Sequence, residues 1–94
     1  MSAQFTAEIH LLRTADGGRS GPLLSGVWHT VLGVNNENWS ARLVFSGTPA
    51  PGETFLATVE LLIPEAGRHF PAGMDFVVWE GGTKGTGRVV SAAA

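Results

Sequence analysis

The sequence contains no cysteine. This absence excludes disulfide bonds, a thiolate nucleophile and zinc sites built from thiolates. The folded chain must therefore be stabilised by its hydrophobic core alone. A chain without cysteine is also compatible with a reducing compartment.

Charged residues are few. Asp, Glu, Lys and Arg together make up 15% of the chain, and the formal net charge is -2. Such a chain has no overall positive field that would attract nucleic acid, so any RNA contact has to be local.

Long hydrophobic runs are missing as well. No stretch approaches the roughly 20 apolar residues of a membrane-spanning helix. The opening residues 1–5 lack the basic start and the apolar segment of a secretory signal. We therefore expect a cytoplasmic protein that does not enter a membrane.

Catalytic motifs are absent. The sequence has no Gly-x-x-x-x-Gly-Lys-Ser/Thr phosphate loop and no Gly-x-Ser-x-Gly nucleophile elbow, so neither GTP binding nor serine-hydrolase chemistry is predicted. The spacing of His10, His29 and His69 matches no local metal-ligand motif. We expect no enzyme activity, no cofactor and no metal site.

What is present indicates an all-β domain. The chain has 94 residues, of which 44% are hydrophobic, with 13 glycines and 5 prolines. This length suits one domain, which we place at 1–94 with an ordered core at about 3–91. Apolar and polar residues alternate most clearly along 3–11, which is the pattern of a half-buried strand. Further strands are predicted at 27–34, 39–45, 55–63, 74–80 and 85–91.

Turn-forming residues separate these strands. Clusters of Gly, Pro, Asn and Asp predict loops at 15–22, 35–38, 47–52, 65–73 and 81–84. No segment has the stripe of an amphipathic helix, and a helix within 65–73 is not expected. Six short strands at this spacing predict a small antiparallel barrel or sandwich.

Three ordered blocks of sequence resemble a known family. They are similar to the third, C-terminal domain of bacterial elongation factor Tu. The blocks are residues 7–13 with 17–19, then 59–64, and then 80–83 followed by Gly85, Gly87, Val89 and Val90. The resemblance implies a six-stranded antiparallel Greek-key barrel. It also implies a non-catalytic role, because in that family the GTPase is a separate domain, whereas the third domain packs on a second barrel, contacts the T-stem of aminoacyl-tRNA and helps to dock the nucleotide-exchange factor.

The resemblance also implies candidate contact residues. Arg19 matches an arginine after the first glycine pair of the family, and Glu80 with Gly81 matches the step that meets the T-stem. At other cationic or polar positions of the family this chain has Thr30, Ile63 and Trp79. Losing cations weakens attachment to phosphates. The candidate contacts with RNA or another partner are Arg19, Glu80, Gly81, Gly82, Lys84 and Arg88.

The tryptophans are the remaining candidates. Trp28, Trp39 and Trp79 either fill the interior of a small barrel or form an interaction hot spot. By alternation along 74–80, Val77 and Trp79 share the outward face. The candidate apolar interface is therefore Trp28, Val77 and Trp79.

Two functions follow as hypotheses. The first is a non-catalytic β-barrel module that uses its outer surface for protein–protein interaction or self-association. The second is a translation-related binder of a structured RNA stem, such as the T-stem of tRNA, with a reduced basic site.

Overall fold

A computed structural model of the chain describes residues 3–92, so residues 1–2 and 93–94 of the expected domain lie outside the described part. Six strands form a closed antiparallel barrel. Their bounds are β1 Ala3–Leu11, β2 Val27–Val34, β3 Glu37–Val44, β4 Thr54–Leu61, β5 Asp75–Trp79 and β6 Thr83–Ser91. Two short 3-10 helices, Thr14–Asp16 and Pro64–His69, lie between strands.

The topology is that of a Greek key. Around the barrel the strands follow the order β1-β4-β3-β2-β5-β6, and β6 pairs with β1. The consecutive strands β2, β3 and β4 are neighbours, and β4 lies beside β1, which precedes them in the chain. The prediction of a six-stranded antiparallel Greek-key barrel is confirmed, and closure removes most of the exposed sheet edge.

Alternation along the strands builds the core. In β1, Phe5 and Ile9 are buried, whereas Glu8 and His10 between and beyond them are exposed. Every strand contributes inward-facing residues to one hydrophobic cluster at the centre of the barrel. The largest fully buried side chains are Ile9, Leu11, Leu32, Leu43, Val59, Phe70, Val78 and Val89.

The β2–β3 turn is shorter than predicted. Asn35 and Asn36 have φ values of 50° and 64°, the left-handed conformation that two-residue hairpin turns require. Because these two residues complete the turn, β3 begins at Glu37 rather than at Trp39. Glu37 and Asn38 are polar, but both are exposed at the start of the strand.

The segment predicted as a loop at 65–73 contains the second 3-10 helix. Pro64 occupies its first turn, where a fixed φ and a missing N–H cost nothing. Phe70 follows the helix and is fully buried. Its ring stacks on Phe5 at a centroid distance of 5.0 Å and meets the edge of Phe76 at 5.7 Å. The helix is therefore held in place by the buried side chain that directly follows it.

One glycine of β6 is required by core geometry. A Cβ atom on Gly87 would lie 2.3 Å from the Phe76 ring and 3.0 Å from the Ile9 side chain. Gly87 therefore makes room for the Phe76 ring between β5 and β6.

None of the helices within residues 3–92 has the length and apolar character needed to cross a membrane.

Candidate functional site

Outward-facing side chains form rows that cross several strands, because the strand register aligns them. One row joins Glu8 on β1, Arg88 on β6 and Asp75 on β5. The Arg88 guanidinium donates from Nε to Asp75 Oδ1 at 2.7 Å and from Nη2 to Oδ2 at 3.3 Å. This hydrogen bond lowers the pKa of Asp75 and raises the pKa of Arg88. Arg88, a predicted RNA contact, therefore has a carboxylate partner.

A second charged row lies further around the barrel. Arg42 on β3 stands between His29 on β2 and Glu60 on β4, and Gln4 on β1 completes the row. Arg42 Nε donates to Glu60 Oε1 at 2.7 Å, and Gln4 Nε2 donates to Glu60 Oε2 at 3.0 Å. This row is also neutralised by its own members.

Apolar side chains occupy the surface between these two rows. Trp79 pairs across strands with Val31, and Val77 pairs with Gly33. Leu62, just after β4, donates its backbone N–H to the Ser40 carbonyl, which places it next to the same surface. Leu62, Trp79 and Val77 are exposed to solvent, by 64%, 46% and 36%, whereas Val31 is half-buried. We call Val31, Leu62, Val77 and Trp79 the apolar patch.

The apolar patch contains an open cleft of about 410 Å³. Trp79 and Leu62 lie on its two sides, Val31 and Ser40 are between them, and Gly81 is at one margin. Small side chains thus separate two large exposed apolar ones. The cleft is also lined by polar side chains, among them His29 and Glu80.

The backbone holds Trp79 in position. The register of β5 and β6 shifts between Val78 and Trp79, a bulge of the kind that re-aims a side chain. Thr30 Oγ1 donates to the Trp79 carbonyl at 3.2 Å. The turn that follows has Gly81 and Gly82 at φ values of 69° and 143°, which glycine adopts without strain. The backbone of Trp79 is therefore held at the end of a paired strand, with its side chain on the outer surface.

Trp28 is not part of the exposed surface, and the prediction that placed it in the apolar interface is wrong. It is only 5% exposed, because alternation along β2 turns it towards the interior. Its Nε1 donates to Glu80 Oε2 at 3.0 Å. The guanidinium of Arg19 lies 5.4 Å from the Trp28 ring centroid and pairs with Glu80 Oε1 at 3.2 Å. We call Arg19, Trp28 and Glu80 the anchor cluster.

The predicted RNA contacts separate into two groups. Arg19, Glu80, Gly81 and Gly82 gather at the β5–β6 turn, and Lys84 lies beside them, where its Nζ donates to the Gly17 carbonyl at 3.1 Å. Arg88 lies further along β6, in the row with Asp75. All three cations of the predicted site have a partner within the protein, which reduces what they can offer to phosphates.

Trp39 covers the core from one side. It is half-buried against the core cluster, and its ring stacks on His69 of the second 3-10 helix at 5.1 Å. Trp28 thus belongs to the interior, Trp39 covers the interior from one side, and Trp79 lies on the surface.

The sequence analysis missed Leu62 as a site residue. Leu62 occupies a polar-face position within the run Leu61–Ile63, and this run breaks the alternation that β4 shows.

A larger open groove of about 550 Å³ lies over the row that contains Arg88. Its charged lining residues are Glu8, Asp75 and Arg88, with His10 next to them. The His10 Nδ1 and Thr54 Oγ1 atoms are 2.9 Å apart and share a hydrogen bond. Among residues 3–92, no group of three or more His, Asp or Glu side chains is arranged to hold a metal ion.

Neither a scan against protein-family models nor a search of curated proteins gives a match for this sequence. The resemblance to the third domain of elongation factor Tu stays a prediction. The barrel architecture that it implies is the part that the structure confirms.

Proposed function

We propose that the protein is a non-catalytic β-barrel module that binds a protein partner through the apolar patch. The observation that supports this most directly is the exposure of Trp79 and Leu62 on the two sides of one cleft. Contiguous exposed apolar surface with a polar rim marks interaction sites. Tryptophan is among the residues that contribute most to binding when such a surface is covered.

The composition of the rim supports the same function. The Arg42–Glu60 pair borders the apolar patch on one side and the Arg88–Asp75 pair on the other. Both pairs are partly exposed. An apolar centre with a hydrated, charged periphery is the usual anatomy of a protein–protein interface.

The similarity to elongation factor Tu adds a reason for this location. In that family a neighbouring barrel covers part of the outer surface of the third domain. Ile63 and Trp79 are exposed here by 50% and 46%, at positions where the family often has cations. Such replacements favour contact with an apolar protein surface over contact with phosphate groups. A cytoplasmic location is part of the proposal, in keeping with the cysteine-free sequence.

The RNA alternative has weaker support. Arg19 pairs with Glu80, Lys84 bonds to a backbone carbonyl, and Arg88 pairs with Asp75. Each phosphate contact made by these side chains would have to replace a contact that exists within the protein. A titration with tRNA at low salt tests this alternative, and binding that Arg19→Ala abolishes would favour it.

The proposed function is tested by capture from native lysate with matched baits. The baits are the wild-type chain, Trp79→Ser and Leu56→Ser. Leu56 is a suitable control because it is 61% exposed on β4, three strands away from β5 around the barrel. Each captured protein is then purified and titrated against all three baits.

We expect a partner, whether another protein or the chain itself, that binds wild type and Leu56→Ser alike and binds Trp79→Ser at least about 30-fold more weakly, the usual effect of truncating a hot-spot residue. Partners that bind all three baits equally, or only RNA on the beads, would overturn the proposal. Circular dichroism of each bait establishes that the variants are folded.

A further inference from the structure

We propose that residues 13–22, which we call the strap, open as a unit while the barrel stays closed, and that Glu80 is the latch that holds them shut. The strap is most of the connection between β1 and β2. Each of its residues is exposed or half-buried. Opening of the strap needs no partner, so it occurs whether or not a protein binds the apolar patch.

The strap has few attachments to the barrel. The hydrogen bonds that join it to the rest of residues 3–92 are both made by side chains. Arg19 Nη1 donates to Glu80 Oε1 at 3.2 Å, and Lys84 Nζ donates to the Gly17 carbonyl at 3.1 Å. An exposed segment with so few contacts opens at a lower free energy than the paired strands do.

Backbone hydrogen bonds fix the chain on both sides of the strap. Before it, Leu12 N–H donates to the Lys84 carbonyl at 3.0 Å, and after it, Leu23 N–H donates to the Pro49 carbonyl at 2.9 Å. The Leu23 side chain is also buried in the core. The strap therefore lies between two fixed points, and its opening does not require a strand to leave the sheet.

Internal contacts allow the strap to move as one body. The N–H groups of Asp16 and Gly18 donate to the Arg13 carbonyl at 2.8 Å and 3.0 Å. The Arg13 side chain pairs with the Asp16 carboxylate at 2.9 Å, and Thr14 Oγ1 donates to the Arg19 carbonyl at 2.6 Å. Because these bonds join strap residues to one another, they persist when the strap lifts from the barrel.

The closed position has a cost as well as a gain. The Arg19 guanidinium lies over the Trp28 ring, but its Nε is buried and has no acceptor among residues 3–92. A buried donor without an acceptor destabilises the closed form, and water satisfies that donor once the strap opens. Among the described residues, Glu80 is the carboxylate that pairs with Arg19 and offsets this cost, which makes it the latch.

Opening changes the charge beside the apolar patch. Glu80 lines the cleft next to Trp79. In the closed form Arg19 neutralises Glu80, whereas in the open form the carboxylate keeps only its bond from Trp28. A cationic group bound at this margin of the cleft therefore favours the open form, because it binds that form more tightly.

Hydrogen exchange of the Arg19 Nε–H measures the opening directly, because this group is buried in the closed form. It is followed by NMR in the full chain, together with the backbone amides of the β1–β4 ladder. The latch variant is Glu80→Gln, which keeps an oxygen for Trp28 and removes the charge. The control is Asp75→Asn with exchange of the Arg88 Nε–H, since Arg88 also pairs with a carboxylate but is 65% exposed.

We expect urea, below the unfolding transition, to accelerate exchange of the β1–β4 amides and to leave Arg19 Nε–H exchange nearly unchanged, because a local opening exposes little surface. Phe70→Ala, which destabilises the core, is expected to act with the same selectivity. Glu80→Gln should accelerate Arg19 Nε–H exchange about 5-fold more than Asp75→Asn accelerates that of Arg88, the upper effect of losing an exposed ion pair.

A parallel response of the Arg19 Nε–H and the β1–β4 amides to urea would overturn the inference, because the strap would then open only when the barrel unfolds. So would a Glu80→Gln effect no larger than the control, since Glu80 would then be no latch. Wild-type exchange at Arg19 as fast as at Arg88 would show that the strap is not closed. Capture of a partner through Trp79 is measured separately, so failure of the proposed function is distinguishable from each of these outcomes.

Discussion

Replacing Glu80 tests whether the anchor cluster is structural. Glu80 lies at the β5–β6 turn, where the resemblance to elongation factor Tu implies an RNA contact. In the structure one of its two carboxylate oxygens accepts a hydrogen bond from Trp28 and the other accepts one from Arg19. A residue used in this way contributes to the free energy of unfolding, and its removal has a measurable cost.

The cost of Glu80→Ala follows from the two contacts that are lost. A hydrogen bond to a charged group contributes about 1.5–3 kcal/mol, and the Trp28 indole N–H is left without its acceptor inside a side chain that is only 5% exposed. The ion pair with Arg19 adds less, since both side chains are partly exposed and such pairs contribute about 0–1 kcal/mol. We expect Glu80→Ala to lower the free energy of unfolding by about 2–3 kcal/mol.

Urea denaturation followed by tryptophan fluorescence measures this change. Glu80→Gln keeps an oxygen acceptor for Trp28 and loses only the charge, so we expect a loss of about 1 kcal/mol. Glu37→Ala is the control for removing an exposed carboxylate, and we expect it to stay within about 0.5 kcal/mol of wild type. The reasoning is refuted if Glu80→Ala is no more destabilising than Glu37→Ala, or if the Gln and Ala variants are equally unstable.

Two further predictions concern the core and the surface charges. Phe70→Ala removes a fully buried ring and should lower the free energy of unfolding by about 3–5 kcal/mol in the same urea assay; a loss below about 1.5 kcal/mol would show that the ring does not hold the second 3-10 helix in place. Arg88→Ala should raise the pKa of Asp75 towards its ordinary value in a carboxyl NMR titration, and an unchanged pKa would contradict the ion pair. Because Arg88 lowers the folded-state pKa of Asp75, the pair stabilises the protein at neutral pH, and this contribution disappears as the pH falls through that pKa.

Most of the fold could be predicted from the sequence because each strand has one solvent-exposed face and one buried face. Alternation of apolar and polar residues then predicts both where the strand lies and which of its residues face the core, as in β1. The prediction was wrong where that signal is absent. The second 3-10 helix is too short to show a period, and Glu37 and Asn38 resemble turn residues although their backbone pairs with β2.

The candidate site could be predicted only in part. Alternation along β5 correctly turned Val77 and Trp79 outward. The same rule applied to β2 would have turned Trp28 inward, since Trp28 alternates with the exposed His29. The bond from Trp28 to Glu80 had no sequence signal, because barrel closure, not proximity in the chain, brings the two residues together. Leu62 did have a signal, the break in alternation at Leu61–Ile63, and it reaches the apolar patch because the end of β4 lies beside Ser40 of β3.

The short β2–β5 ladder, which we call the seam, is a weak point of the barrel that the apolar patch covers. These strands pair only along Val31–Gly33, whereas β2 pairs with β3 over its whole length. A short seam is where a closed sheet opens first, so its amide hydrogens should exchange with solvent before those of the long β1–β4 ladder. Val31 and Trp79 face each other across this seam, and a molecule bound to both holds the two strands together. A partner bound to the apolar patch would then slow amide exchange along the β2–β5 seam. It would also raise the unfolding temperature as the partner concentration increases. Both measurements therefore report binding through its effect on opening of the barrel.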